Sequence, residues 1–299
     1  MNLLVVGSVA LDSVETPYGK VEKALGGSAS YFSVAASYFT EVGVVAVIGQ
    51  DFSEDHVDLL RSRNIDLRGL SRDHGLTFHW KGRYSDDLNE AETLDTQLNV
   101  FESFRPVIPE EYREVSFVFL ANIDPELQLK VLEQVKDPKL TICDTMNFWI
   151  EGKLEQLKET IKRVDILIIN EGEARQLSQE YNLVKAYRKI SSYGPKTLVI
   201  KQGSYGALLF TPTSIFSAPA YPLERLSDPT GAGDCFAGGF AGYLAKIKNA
   251  DENELRKAVI YGSVMASFNV EDFSLGRLRT LTFDEVEKRF KSFEKLTQF

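Results

Sequence analysis

The run from Asp228 to Gly239, DPTGAGDCFAGG, sets three small residues and a carboxylate where a helix begins. Gly231, Ala232 and Gly233 leave backbone amides uncovered, and a helix start adds unpaired N–H donors with partial positive charge, so phosphate oxygens can approach closely. Asp234 follows directly, near enough to take a proton from a hydroxyl that attacks a phosphate held by those amides. Its place in a first helical turn favours the ionised form that a base needs. The chemistry is phosphoryl transfer, in line, with the amides of Ala232, Gly233 and Asp234 steadying the transferring group. Taken alone, the same residues also suit a tight turn whose aspartate only complements the helix dipole.

The elements that must hold this loop follow from periodicity. After it, Phe236, Phe240, Tyr243, Leu244 and Ile247 recur at helical spacing while Ala237, Gly238, Gly239, Ala241, Gly242 and Ala245 keep another face small, which predicts a helix buried closely against a sheet. Apolar runs at 3–7, 44–49, 117–121, 140–144, 166–170, 198–201 and 207–210 read as strands, several too continuous for a one-sided sheet. Amphipathic stretches at 126–135, 153–164, 171–179 and 183–192 alternate with them, a βαβ pattern with a largely parallel sheet. The last third is helical, at 232–248, 252–270 and 282–296. Two segments break the rhythm: 11–25, with a Thr-Pro-Tyr-Gly turn, reads as a hairpin, and 76–100 holds the strand-like TFHWKGRY. The two are expected to pair into a small sheet. Phe78, Trp80 and Tyr84 alternate there with His79, Lys81 and Arg83, an aromatic face that suits stacking on a nucleobase or a sugar, or the sheet's own packing.

Composition narrows the class. The 299 residues are 43% hydrophobic and 26% charged, enough for one large α/β core, and the whole chain 1–299 reads as a single domain. A net charge of −9 without a basic patch argues against nucleic acid as partner. No apolar run approaches a membrane span, and MNLLVVGSVALD lacks a basic leader, so no membrane role is expected. Cys143 and Cys235 are too few for a disulfide framework; the expected compartment is the cytoplasm. The first strand runs into GSVALD rather than GxGxxG, which disfavours a nicotinamide oxidoreductase, and no GxxxxGK[ST] string occurs.

DPTGAGDCFAGG resembles the C-terminal signature of the ribokinase-like (PfkB) carbohydrate kinases, D-T-x-G-A-G-D-x-F-x-x-G. LGGSASYFSVAASYF, at 25–39, resembles the N-terminal Gly-Gly signature of the same family. The resemblance implies a three-layer α/β sandwich with a largely parallel central sheet and a small β lid, drawn from segments near 11–25 and 76–100. The lid covers the acceptor and often forms a homodimer interface. It further implies an ATP- and Mg2+-dependent kinase acting on a hydroxyl of a sugar or sugar-like molecule. A nucleoside kinase of the same family and a non-catalytic sugar or nucleoside sensor stay open beside it, as does a monovalent cation.

Residue by residue, Asp12, Gly26, Gly27 and Ser28 match the positions that meet the acceptor. Asp12 can accept two hydroxyl hydrogen bonds. The signature departs from its usual G-G-x-A-x-N at one place, where Tyr31 stands for the asparagine and a polar sugar contact is replaced or lost. CDTMNFWIEG, at 143–152, resembles the D-x-N-x-x-x-W region without its arginine, which leaves Asn147 near acceptor or phosphate and disfavours an acidic sugar. Asn170 and Glu173 match N-x-x-E, which orders Mg2+ mainly through water; the same residues also suit a helix cap. Lys201 and Gly203 lie in the strand–Gly–strand segment beside the triphosphate, and Asn269 is expected to border the adenine.

Overall fold

The central strands coincide with short apolar runs such as LLVV, FVFL and ILIIN. The computed structural model describes the chain apart from Asp87, Asn89, Glu90 and Phe299, the first three of which fall inside the expected lid segment. The strands are β1 (Leu3–Val6), β2 (Ala10–Thr16), β3 (Gly19–Gly26), β4 (Val42–Ile48), β5 (Ile65–Arg72), β6 (Phe78–Tyr84), β7 (Ala91–Gln97), β8 (Phe117–Leu120), β9 (Leu140–Asp144), β10 (Ile166–Asn170), β11 (Thr197–Lys201), β12 (Ala207–Phe210) and β13 (Ile215–Ala218). Nine of them form one sheet in the order β13-β12-β11-β10-β9-β8-β1-β4-β5, parallel except where β12 pairs with β11 and β13.

Alternation along each strand divides the interior into two cores. Leu3, Val5, Val44 and Ala46 face one side, with the helices Ser28–Ala36, Ala232–Ile247 and Glu252–Asn269. Leu4, Val6, Val45 and Val47 face the other, with the helices Pro125–Leu132, Leu154–Ile161, Glu171–Ser178 and Leu183–Ser191. A sheet buried on both faces needs the continuous apolar runs seen in the sequence. Phe32 of the first helix stacks on Phe119 of β8, ring centroids 4.1 Å apart, a pair worth about 0.5–1.5 kcal/mol beyond its burial.

The small face of the Ala232–Ile247 helix meets helices rather than the sheet. A Cβ on Gly238 would come within 2.4 Å of the Phe32 carbonyl oxygen, and one on Gly239 within 2.7 Å of that of Tyr261. Close packing beside the loop was expected; its partners are the flanking helices.

A second sheet of four strands, in the order β3-β2-β6-β7, stands over the carboxyl end of the first. β2 and β3 form the expected hairpin, and β2 runs parallel to β6. Side chains latch the hairpin to the body: the Thr16 hydroxyl donates to the Ser227 carbonyl (2.8 Å) and the Ser274 hydroxyl to the Leu25 carbonyl (2.6 Å). Among the described residues no helix is long and apolar enough to cross a membrane.

Candidate active site

Chain order reverses at β1, which lies between β4 and β8, and open parallel sheets bind ligands beyond the strand carboxyl ends at such a reversal. The strands there end in polar residues. β9 ends in Asp144, β10 in Asn170 and β11 in Lys201, while Asp12 follows β1 on the lid strand β2. The loop 228–231 feeds the Ala232–Ile247 helix into the same place.

Gly231 caps that helix with φ 75°, a left-handed conformation that glycine adopts without cost. The Tyr31 ring lies against it, so that a Cβ at Gly231 would fall 2.3 Å from the ring. The Ala232 amide donates to the Pro229 carbonyl (3.1 Å) and is therefore committed, which corrects its expected place among the anion donors. No protein acceptor takes the amides of Gly231, Gly233 or Asp234 among the described residues. A Cβ on Gly233 would sit 2.9 Å from Lys201 Nζ, so the ammonium lies directly beside these donors.

Asp234 is half-buried on the helix's first turn. Burial pushes its carboxyl up to about 7, the Asp144 charge adds to that, and Lys201 works against it. The raised carboxyl runs against the ionised form expected from the sequence, and burial is the main cause. Lys201 Nζ lies 3.5 Å from Asp144 Oδ2. Burial opposes the ammonium charge, but Asp144, Glu173 and Asp234 outweigh it and hold Lys201 above the usual lysine range. Burial likewise raises Asp144, which Lys201 counteracts.

Asn170 and Glu173 form a reciprocal cap: the Asn170 side chain accepts from the Glu173 amide (2.8 Å) and Glu173 Oε2 from the Asn170 amide (2.7 Å). Burial and then Asp144 lift Glu173 to about 7. The cap and the cluster therefore share one glutamate. Among the described residues no three acidic, His or Cys side chains converge to hold a metal alone. An all-oxygen, acid-rich recess of this kind fits Mg2+ that arrives with phosphates and keeps its water.

On the acceptor side, Asp12 Oδ2 accepts from the Gly27 amide (3.3 Å), and a Cβ at Gly26 would land 1.9 Å from that oxygen. Burial raises Asp12 to about 7 against that hydrogen bond. Ser28 exchanges hydrogen bonds with Ser8, amide to hydroxyl in both directions (3.0 and 3.2 Å), and fastens the helix start to the end of β1. From the lid, Tyr84 accepts the Thr230 hydroxyl (3.3 Å). The other aromatic residues of β6 are engaged: Phe78 stacks at 5.4 Å on Phe101, which packs on the core of the body, and the Trp80 ring covers Gly82 within the lid.

Of the remaining expected residues, Asn147 and Asn269 lie apart from this cluster and Gly203 lies beside it. Asn147 is exposed at the start of the short helix Asn147–Gly152. Gly203 opens the turn of the β11–β12 hairpin, next to Lys201. Asn269 is 1% exposed; its Nδ2 donates to the Thr230 carbonyl (2.8 Å) and its Oδ1 accepts from Cys235 Sγ (3.3 Å). It braces the loop from beneath, in place of the expected contact with adenine. Asp144 is the partner that the sequence reading passed over, although a charge closing the apolar run LTICD was a usable signal.

The family model described as pfkB family carbohydrate kinase matches residues 2–279. A cytidine kinase from Thermococcus kodakarensis is 32% identical over 250 residues, covering 81% of this chain and 88% of its own. The crystal structure of Methanocaldococcus jannaschii nucleoside kinase, an archaeal member of the ribokinase family, superposes with a TM-score of 0.78 at 22% identity, covering 98% of this chain and 99% of that one. That of a candidate ribokinase II from E. coli in complex with ATP and Mg2+ gives 0.78 at 16%, covering 97% and 99%. The three-layer sheet with its β lid is the ribokinase-like fold, and the signatures at both ends of the chain carry the family they resemble. The chain belongs to the pfkB family of carbohydrate kinases, phosphotransferases whose acceptor is an alcohol group.

Proposed function

We propose that this kinase transfers the γ-phosphoryl group of ATP to a ribosyl hydroxyl of a nucleoside, with Asp234 as general base. The observation that carries the reading is the convergence of the Asp234 carboxylate, the uncommitted Gly231, Gly233 and Asp234 amides and the Lys201 ammonium at one helix start. The amides and Lys201 offset charge on the transferring group, and Asp234 accepts the proton of the attacking hydroxyl. Asp12 orients the acceptor by accepting from its other hydroxyls. Asp144 holds Lys201 in place, and Asn170 with Glu173 would order Mg2+ through its water. Mg2+, when bound, would offset the phosphate charge that Asp12, Asp144, Glu173 and Asp234 would otherwise repel.

A nucleoside is favoured by the cytidine kinase relative, whose match spans 88% of its length. A simple sugar is the second reading, because Phe78 stacks on Phe101 and the Trp80 ring covers Gly82, which leaves less aromatic surface for a base. A silent sensor would not need a base, free amides and a lysine at one point. Within the same reading the exposed edge strand β7 is the surface for a homodimer, the compartment is the cytoplasm, and a monovalent cation is a further ligand. ADP release measured over a panel of nucleosides and sugars, with Mg2+ and with K+ or Na+, decides the acceptor. A nucleoside is expected to exceed ribose by at least about tenfold in kcat/KM, which corresponds to about 1.4 kcal/mol. Equal or better use of free sugars overturns the nucleoside assignment, and no ADP release with any acceptor overturns the kinase reading.

A further inference from the structure

Residues 229–232 form a β-turn. The Ala232 amide donates to the Pro229 carbonyl (3.1 Å), and Gly231, in the third position with φ 75° and ψ 1°, gives it the geometry of a type II turn. Such a turn differs from type I by a half-rotation of its central peptide, here Thr230–Gly231, and glycine in that position admits both forms. The peptide is trans, so its carbonyl and its N–H point opposite ways. Whichever way the Thr230 carbonyl turns, the Gly231 amide faces the other. Asn269 makes the choice. It closes the helix Glu252–Asn269, and its Nδ2 is the one protein donor to the Thr230 carbonyl among the described residues, at 2.8 Å. Its Oδ1 accepts from Cys235 Sγ (3.3 Å), a thiol that burial keeps protonated, so the side-chain amide is held with its donor toward the turn. The neighbouring peptide is pinned separately, by the Thr230 amide donating to Asp228 Oδ1 (2.9 Å).

We infer that Asn269 is a positioning residue for phosphoryl transfer: by holding the Thr230 carbonyl it keeps the Gly231 amide turned to the transferring group. Without that bond the turn reaches its type I form, which removes one donor and sets a carbonyl oxygen against the phosphate in its place. The inference rests on the reading of these amides as phosphate donors, and adds to it the residue that sets the direction of one of them.

Two variants test it: Asn269→Leu removes the donor and keeps the volume, and Asn269→Ala removes it without bulk. For each, kcat, the acceptor KM and the melting temperature are measured. The amide resonances of Gly231, Gly233 and Asp234 are followed by NMR as ADP, Mg2+ and aluminium fluoride, a mimic of the transferring group, are added. In the variants kcat is expected to fall by about 10²–10³, the loss of one preorganised donor, while the acceptor KM stays. Gly231 then loses most of its response to the mimic and Gly233 and Asp234 keep theirs, a pattern that a general loosening of the loop does not produce. Turnover at the wild-type level in either folded variant overturns the inference alone, as does an equal loss of response at all three amides. Should neither variant fold, the wild-type titration decides: a Gly231 amide that ignores the mimic while Gly233 and Asp234 respond overturns the inference, and one that responds with them supports it. A wild-type enzyme that releases no ADP with any acceptor overturns the proposed function and this inference together.

Discussion

The two ends of the site are built differently. The proposed phosphate end is largely local: Gly231, Gly233 and Asp234 are neighbours in the chain, their conformation is set by one helix start, and Lys201, Asp144 and the Asn170–Glu173 cap are brought in at the strand ends. The proposed acceptor end is assembled at long range from Asp12 on β2 and the Gly26–Gly27 bend, with the lid residue Tyr84 reaching the loop beside it. A contiguous motif can keep its chemistry while the surrounding segments change. The difference teaches that the reaction is written in one stretch of this chain and the substrate in several.

Substitutions should therefore separate the two ends. Removing the charge at the phosphate end by Lys201→Met is expected to lower kcat by about 10²–10³ for every acceptor alike, the span for one preorganised electrostatic group. Asp144, which burial already pushes toward its neutral form, then keeps its proton, so circular dichroism should show an intact fold. An effect confined to some acceptors would break the separation.

The pH profile comes next in size. A base must be ionised to act, and Asp234 sits at about 7, as do Asp12 and Glu173. kcat/KM for the acceptor should rise by up to about tenfold per pH unit below 7 and level off above it. A profile flat from pH 5 to 8 would contradict the raised carboxyls.

The smallest effect concerns the contact between Gly231 and the Tyr31 ring. Gly231→Ala forces a left-handed alanine, costing about 1–2 kcal/mol, and drives its methyl into the Tyr31 ring. The variant should melt several degrees lower and lose part of both ATP and acceptor affinity. A loss of ATP affinity alone would mean that the ring and the loop move independently.

Most of the central sheet is legible in the sequence because burial on both faces demands continuous apolar runs, as in LLVV, FVFL and ILIIN. β5 and β13 are not, since edge strands such as IDLRGLSR need only one partner and tolerate charge. The phosphate loop is legible from its glycines. Asn269 misleads, because spacing cannot tell a buried amide that braces a carbonyl from one that meets a ligand. The commitment of the Ala232 amide and the Lys201–Asp144 pair depend on which segments tertiary packing brings together, which no local pattern records.

The proposed mechanism requires the carboxylate of Asp234 and the adjacent bare amides to act on one phosphoryl group. Measuring kcat and ATP affinity together on Asp234→Asn tests it most directly. The account predicts a loss of roughly 10²–10⁴ in kcat with ATP binding retained. Near-normal turnover in that variant would contradict it.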